Sequence, residues 1–247
     1  MIMLHYIYNA KILIMYLTLV ILHASCNVTA AQPNDPRFAI TGDETEPPAG
    51  YYDFCMEHLN LCDNEDRKPV DISLTADKLR QLEIINTEVN DQIAQVSDTQ
   101  HYGKTEYWAL PVDGEGDCED ISILKRLRMI KAGFPIQSIL LTHVIAPKAG
   151  SHIILTIKTD KGEYIADNLV DELVLWNHVP YKFVKRQSQY QQNVWVNILP
   201  TNTKLSLTNE ERKQLSLTGS VRAKRHETLL EELKDKSAYR NPCGRVG

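Results

Sequence analysis

Apolar residues are distributed unevenly along the chain. Ile12 to Leu22 reads Ile-Leu-Ile-Met-Tyr-Leu-Thr-Leu-Val-Ile-Leu without a charge. Apolar positions then thin out until Leu74 to Val96, where Leu79, Leu82, Ile85, Val89, Ile93 and Val96 recur three and four residues apart. That spacing lines one face of a helix, and Asn86 and Asn90 lie one turn apart on it. A polar connection from Val96 to Tyr107 leads into the apolar Trp108-Ala109-Leu110-Pro111-Val112, and Asp113 to Gly116 is a turn signal. A second helix is expected from about Asp117. Ile121, Leu124 and Leu127, with Ile123, Met129 and Ile130, supply its buried stripe, and Lys125, Arg126, Arg128 and Lys131 its wet face. Gly133 followed by Pro135 stops it.

The period then changes from helical to extended. Ser138 to Ile145 and His152 to Lys158 are apolar, β-branched runs. Thr159-Asp160-Lys161-Gly162 predicts a hairpin turn, with Glu163 to Asn168 as the returning strand and Val194 to Leu199 as a later one. Helices followed by strands predict an α+β domain with an antiparallel sheet over residues 51–200. Residues 31–50, rich in Pro, Asp, Glu and Thr, read as an extended leader with no core of its own. Residues 201–247 read as a polar, partly disordered C-terminal tail, with a short helix expected over His226 to Lys236.

The first apolar run is too short to cross a bilayer comfortably. Lys11 precedes it, and the small residues Ala24, Ser25, Ala30 and Ala31 follow. This is the pattern of a secretory signal over residues 1–30, with cleavage near Ala30 and delivery to the periplasm or the exterior. Cys26 opens a lipoprotein alternative, against which His23 three places earlier argues; an uncleaved signal anchor is the other alternative. The chain carries 27 Lys+Arg against 32 Asp+Glu, a net charge of −5, and losing the signal makes it one unit more negative. An acidic domain argues against a nucleic-acid binder. With 43% hydrophobic and 24% charged residues, wholesale disorder is excluded.

Export also changes how the five cysteines read. Cys26 leaves with the signal, and Cys55 and Cys62 are close enough in sequence to form a local disulfide in an oxidising compartment. Cys243 lies in the tail, leaving Cys118 as the odd thiol in the body of the chain. Gly116-Asp117-Cys118-Glu119-Asp120 places Cys118 where a tight turn becomes a helix, with Asp117 as N-cap and Asp120 three residues on, as in a capping box. The unpaired N–H groups of a first helical turn favour a thiolate and can hold an oxyanion beside it. His152 starts one predicted strand, and Asp167 lies roughly opposite on the next. Residues opposed on paired strands can share a face, so Cys118, His152 and Asp167 form a candidate nucleophile–base–orienter triad. Each residue alone has an ordinary structural reading; their joint spacing points to catalysis.

The order Cys, His, Asp in a helix-then-hairpin layout resembles the transglutaminase-like branch of the papain-type fold. The resemblance narrows to the bacterial transglutaminase-like cysteine peptidases. It is carried by Trp108 to Pro111, Gly116-Asp117-Cys118-Glu119-Asp120, Lys125, Gly133-Phe134-Pro135, Ser151-His152 and Ala166-Asp167-Asn168, and it spans about residues 50–200. It implies a periplasmic cysteine endopeptidase. Better-known members clip large surface adhesins, depend on calcium and work beside a membrane signalling receptor, a partner that nothing in this chain displays. Clustered carboxylates at a loop–helix junction suit Ca²⁺ on their own chemistry. Asp117 and Glu119 are the expected ligands, with Asp113 or Asp120 as further donors, unless these acids only cap the helix. Two other functions share the fold: transamidation, in which an amine replaces water as acyl acceptor, and a non-catalytic periplasmic module that binds an extended peptide.

Overall fold

The computed structural model describes residues 35–63, 65–147, 150–200 and Cys243. The export segment, the start of the leader and the helix expected over His226 to Lys236 lie outside them. A seven-stranded sheet forms the frame, in the order β1-β9-β8-β4-β5-β6-β7. Its strands are β1 (Thr41–Thr45), β4 (Ile139–Ala146), β5 (Gly150–Thr159), β6 (Gly162–Asp167), β7 (Val170–Leu175), β8 (Lys182–Gln187) and β9 (Trp195–Ile198). Every pairing within this sheet is antiparallel. A parallel pair, β2 (Ala94–Gln95) with β3 (Glu115–Gly116), forms a separate two-stranded sheet. The helices are α1 (Tyr51–Glu57), α2 (Ala76–Gln92), α3 (Asp98–His101) and α4 (Cys118–Lys131).

The helical spacing over Leu74 to Val96 becomes α2, started by Thr75, whose side chain accepts from the Lys78 N–H. Leu82, Ile85, Asn86 and Val89 face inward, and α2 packs against β7 and α4. Helix α4 lies on β4 and β5. Gly133 ends it at a φ of 93°, a left-handed conformation that favours glycine. The hairpin expected at Thr159 to Gly162 joins β5 to β6, with Thr159 opposite Gly162.

Alternation along β5 serves two cores. Ile153, Leu155 and Ile157 join Leu82, Trp108, Ile123 and Met129 on the helix side. Ile154 joins Val144, Ile165, Val174 and Trp176 in a second cluster. Cys55 and Cys62 form a disulfide at α1, and both sulfurs are buried.

Three local expectations change. Thr41–Thr45, assigned to the extended leader, pairs with β9 as an edge strand of the main sheet. The polar connection after Val96 contains the short helix α3. Lys125 and Arg126, expected on the wet face of α4, are 0% and 5% exposed. The helix is enclosed rather than half solvated, so the amphipathic reading assigned these two residues to the wrong environment. Arg126 is accommodated through Ile139 O at 2.9 Å and Gln192 Oε1 at 2.7 Å.

Candidate active site

Helix α4 begins at Cys118, with Asp117 as its N-cap. The turn before it needs a glycine. A Cβ on Gly116 would stand 2.9 Å from Asp120 Cβ and Oδ2, so a side chain there would push into the helix start. The expected capping box does not form: the Asp117 side chain makes no capping bond, and Asp120 Oδ1 accepts from the Ala109 N–H at 2.7 Å. Cys118 is fully buried. Its Sγ receives the Ile153 N–H at 3.3 Å and lies 3.1 Å from Glu119 Oε2. Cys118 is not the odd thiol that its position suggested, because it is disulfide-bonded to Cys243, whose Cα lies 5.3 Å away. Cys243, expected in a peripheral tail, is 1% exposed.

His152 and Asp167 meet as the hairpin predicted, but diagonally. Leu155 stands opposite Ala166, which leaves Asp167 two residues short of the position facing His152. The side chains still join, His152 Nε2 to Asp167 Oδ1 at 2.9 Å, and both residues are 1% exposed. A diagonal partner on neighbouring strands is within reach of long side chains. Asp167 is held on every side: Oδ1 also accepts from the Leu169 N–H at 3.0 Å, and Oδ2 accepts from the Tyr181 hydroxyl at 2.6 Å. The other ring nitrogen, His152 Nδ1, faces sulfur, 2.9 Å from Cys243 Sγ. Cys118, His152 and Cys243 each present one atom within 4.8 Å of the others.

The acids form a second cluster beside the helix start. One carboxylate oxygen from each of Asp98, Asp117 and Glu119 lies within 4.8 Å of the other two, and all three residues are buried. Asp117 Oδ2 accepts from the Asp98 N–H at 3.4 Å. Asp98 accepts from the Tyr107 N–H, while its Oδ1 has no hydrogen-bond partner. Burial, and then the charge of Asp117, push the Glu119 carboxyl well above its ordinary value. Burial pushes Glu106 up to about 7 and Asp120 up to about 8. Buried hard oxygens that repel one another and an orphaned oxygen among them suit a divalent cation of the calcium type. Asp113 does not join them; its Oδ2 bonds His101 Nε2 at 2.8 Å at the surface. Asp120 stands beside the group, engaged with Ala109.

Residues 41–203 match the model of a family described as bacterial transglutaminase-like cysteine proteinases. The chain belongs to this family. It is therefore a cysteine peptidase with the mixed helix-and-antiparallel-sheet architecture of its class. Three solved structures of Legionella pneumophila LapG are similar to it. The calcium-bound form is 25% identical with a TM-score of 0.43, covering 55% of this chain and 79% of that one. A second LapG structure is 23% identical with a TM-score of 0.41, covering 55% and 76%. An EGTA-treated form is 22% identical with a TM-score of 0.40, covering 60% and 78%. Curated proteins yield no match.

Three side chains at the candidate site, Asp98, Tyr181 and Cys243, carried no usable signal in the sequence, and a fourth, Lys125, entered only through the family resemblance. Asp98 comes from α3 and Tyr181 from just before β8, each brought in by chain return rather than by spacing. The Tyr181 ring stands edge-on to His152 at 6.0 Å. Cys243 is remote in sequence. Lys125 Nζ is buried without a hydrogen-bond partner, and burial lowers its pKa to about 7 against the opposing pull of Asp167 and Asp171. Asn86 and Asn90 do have a place: they donate to the backbone of the β6–β7 turn, to Val170 O at 2.8 Å and Asp167 O at 3.2 Å, and so steady the strand end that carries Asp167.

Proposed function

We propose that this cysteine peptidase is exported and cleaves a protein substrate of the surface-adhesin kind, using Cys118 as nucleophile, His152 as general base and Asp167 as its orienter. The observation that carries this reading is the His152–Asp167 contact at 2.9 Å, with the second imidazole nitrogen on Cys243 Sγ and Cys118, at the start of α4, within 4.8 Å in the same cluster. An aspartate on one ring nitrogen sets the tautomer and leaves the other to take the thiol proton. The Cys118 thiolate attacks the scissile carbonyl, and N–H groups of the first helical turn face the oxyanion that forms. The imidazolium then protonates the departing amine, and water hydrolyses the thioester, with His152 again acting as base. His152 and Asp167 are held by bonds present before substrate arrives, which is how preorganised sites work.

Asp98, Asp117 and Glu119 are the residues that would hold a calcium ion. The ion would supply positive charge next to a sulfur that must ionise. The sequence pattern over residues 1–30 supports action in the periplasm or outside the cell. Cys118→Ala is expected to abolish release of large adhesins from cells expressing the protein while leaving its circular dichroism unchanged. Release undiminished in the variant would remove the nucleophile assignment.

A further inference from the structure

The sulfur of Cys118 is already bonded. The bond to Cys243 closes across 125 residues of sequence, from the start of α4 to the last few residues of the chain. Three features place Cys243 in the functional position of a blocking group rather than of a distant staple. It is bonded to the atom that must attack. It occupies the His152 nitrogen that Asp167 leaves available, 2.9 Å from Nδ1. It helps to close the site, with Cys118 0% and Cys243 1% exposed, so no substrate carbonyl reaches the nucleophile. A purely structural disulfide has no reason to use the reactive cysteine and to engage its base as well.

We propose that Cys243 is a reversible covalent latch on the peptidase, and that a dithiol reductant switches the enzyme on; this rests on Cys118 being the nucleophile. In the opening step a thiolate of the dithiol attacks Cys243 Sγ. A sulfur–sulfur bond forms between dithiol and Cys243, the Cys118–Cys243 bond breaks, and its electron pair leaves on Cys118 Sγ. The second thiol of the reductant then attacks the mixed disulfide, closing the reductant into its own disulfide and releasing Cys243. The dithiol gives up two electrons and two protons: one proton ends on the Cys243 thiol and the other on His152 Nδ1, which leaves the Cys118 thiolate beside an imidazolium. A disulfide oxidant drives the same sequence backwards and closes the latch. The nucleophile is thereby protected from over-oxidation and held inactive until it meets a reductant.

The test compares wild-type protein with Cys243→Ser, each purified without reductant and treated with iodoacetamide, before and after dithiothreitol, followed by peptide mapping. In wild type, Cys118 is expected in a cross-linked peptide with Cys243, refractory to iodoacetamide. Dithiothreitol should release both for stoichiometric labelling and switch on adhesin cleavage. Cys243→Ser should label at Cys118 and cleave without any reductant. The latch is overturned if wild-type Cys118 labels as fast as the variant before reduction. It is also overturned if a chelator, rather than dithiothreitol, lifts the block, since Cys118, His152 and Cys243 would then be holding a metal. If Cys118 labels freely in Cys243→Ser and cleavage is absent under all conditions, the nucleophile assignment of Cys118 fails and the latch with it, leaving only a structural disulfide.

Discussion

Two buried polar groups flank Cys118, and they are built on opposite principles. On one side His152, Asp167 and Tyr181 form a chain in which each carboxylate oxygen of Asp167 has a donor at 2.6 to 3.0 Å. On the other side Asp98, Asp117 and Glu119 converge within 4.8 Å with Glu106 and Asp120 close by, and burial raises the pKa of four of the five. The first group is complete with protein atoms alone. The second is a set of acceptors short of positive charge. A buried carboxylate is stable when hydrogen-bonded or paired, and otherwise takes up a proton or a cation. The His152 side is therefore organised by the fold, and the acid side is a set that a cation would complete.

Removing one acid should therefore affect calcium far more than the fold. Glu119→Gln should weaken calcium binding by at least the roughly 10- to 100-fold typical of losing a supporting contact around a metal, read by calorimetric titration. The same variant should raise the melting temperature in chelator, because it removes a repelled charge. On the other side, Tyr181→Phe should lower kcat about tenfold with KM unchanged, as expected for loss of a hydrogen bond to a charged group. A merely structural tyrosine would lower the melting temperature and leave kcat of the folded protein in place.

The acid cluster also predicts a pH signature. Glu106 and Asp120 have folded pKa values of about 7 and about 8, above their ordinary 4.5 and 3.8. The folded chain holds these protons longer than the unfolded one, so their contribution to stability is full below pH 3.8 and is lost as pH rises through 7 and 8. In chelator the melting temperature should fall across that range. Calcium should reverse the fall, adding about 5 to 10 °C at a concentration of roughly a hundred dissociation constants. Asp113→Asn marks the smallest effect: its carboxylate faces His101 at the surface, so calcium affinity should stay within about twofold, the reach of a screened distant charge.

The parts of this arrangement that the sequence displays are those set by local chemistry. Thr159 to Gly162 announces its turn, and the turn brings His152 and Asp167 onto neighbouring strands. Gly116 to Asp120 announces a helix start with a cysteine in it. What escapes notice comes from chain return. Asp98 reaches the acids from α3, 19 residues before Asp117, and nothing in its own neighbourhood marks it as a ligand. Asp113, nearer in sequence, turns outward. Lys125 and Arg126 look like surface cations because charged residues usually are, yet α4 is enclosed by the sheet and by α2. Cys243 carries no local signal, and its placement appears only through its bond to Cys118.

The most direct measurement is the iodoacetamide alkylation rate of Cys118 at neutral pH in Cys243→Ser protein, with calcium, with chelator, and with His152→Ala added. A nucleophile activated by a protein-built base on one side and an ion-completed acid cluster on the other should react fast only when both are present. Loss of either should slow it by about tenfold or more, as expected when a cysteine thiolate loses its supporting charge. Equal rates in all three conditions would mean that neither flank activates the sulfur, and would contradict the account.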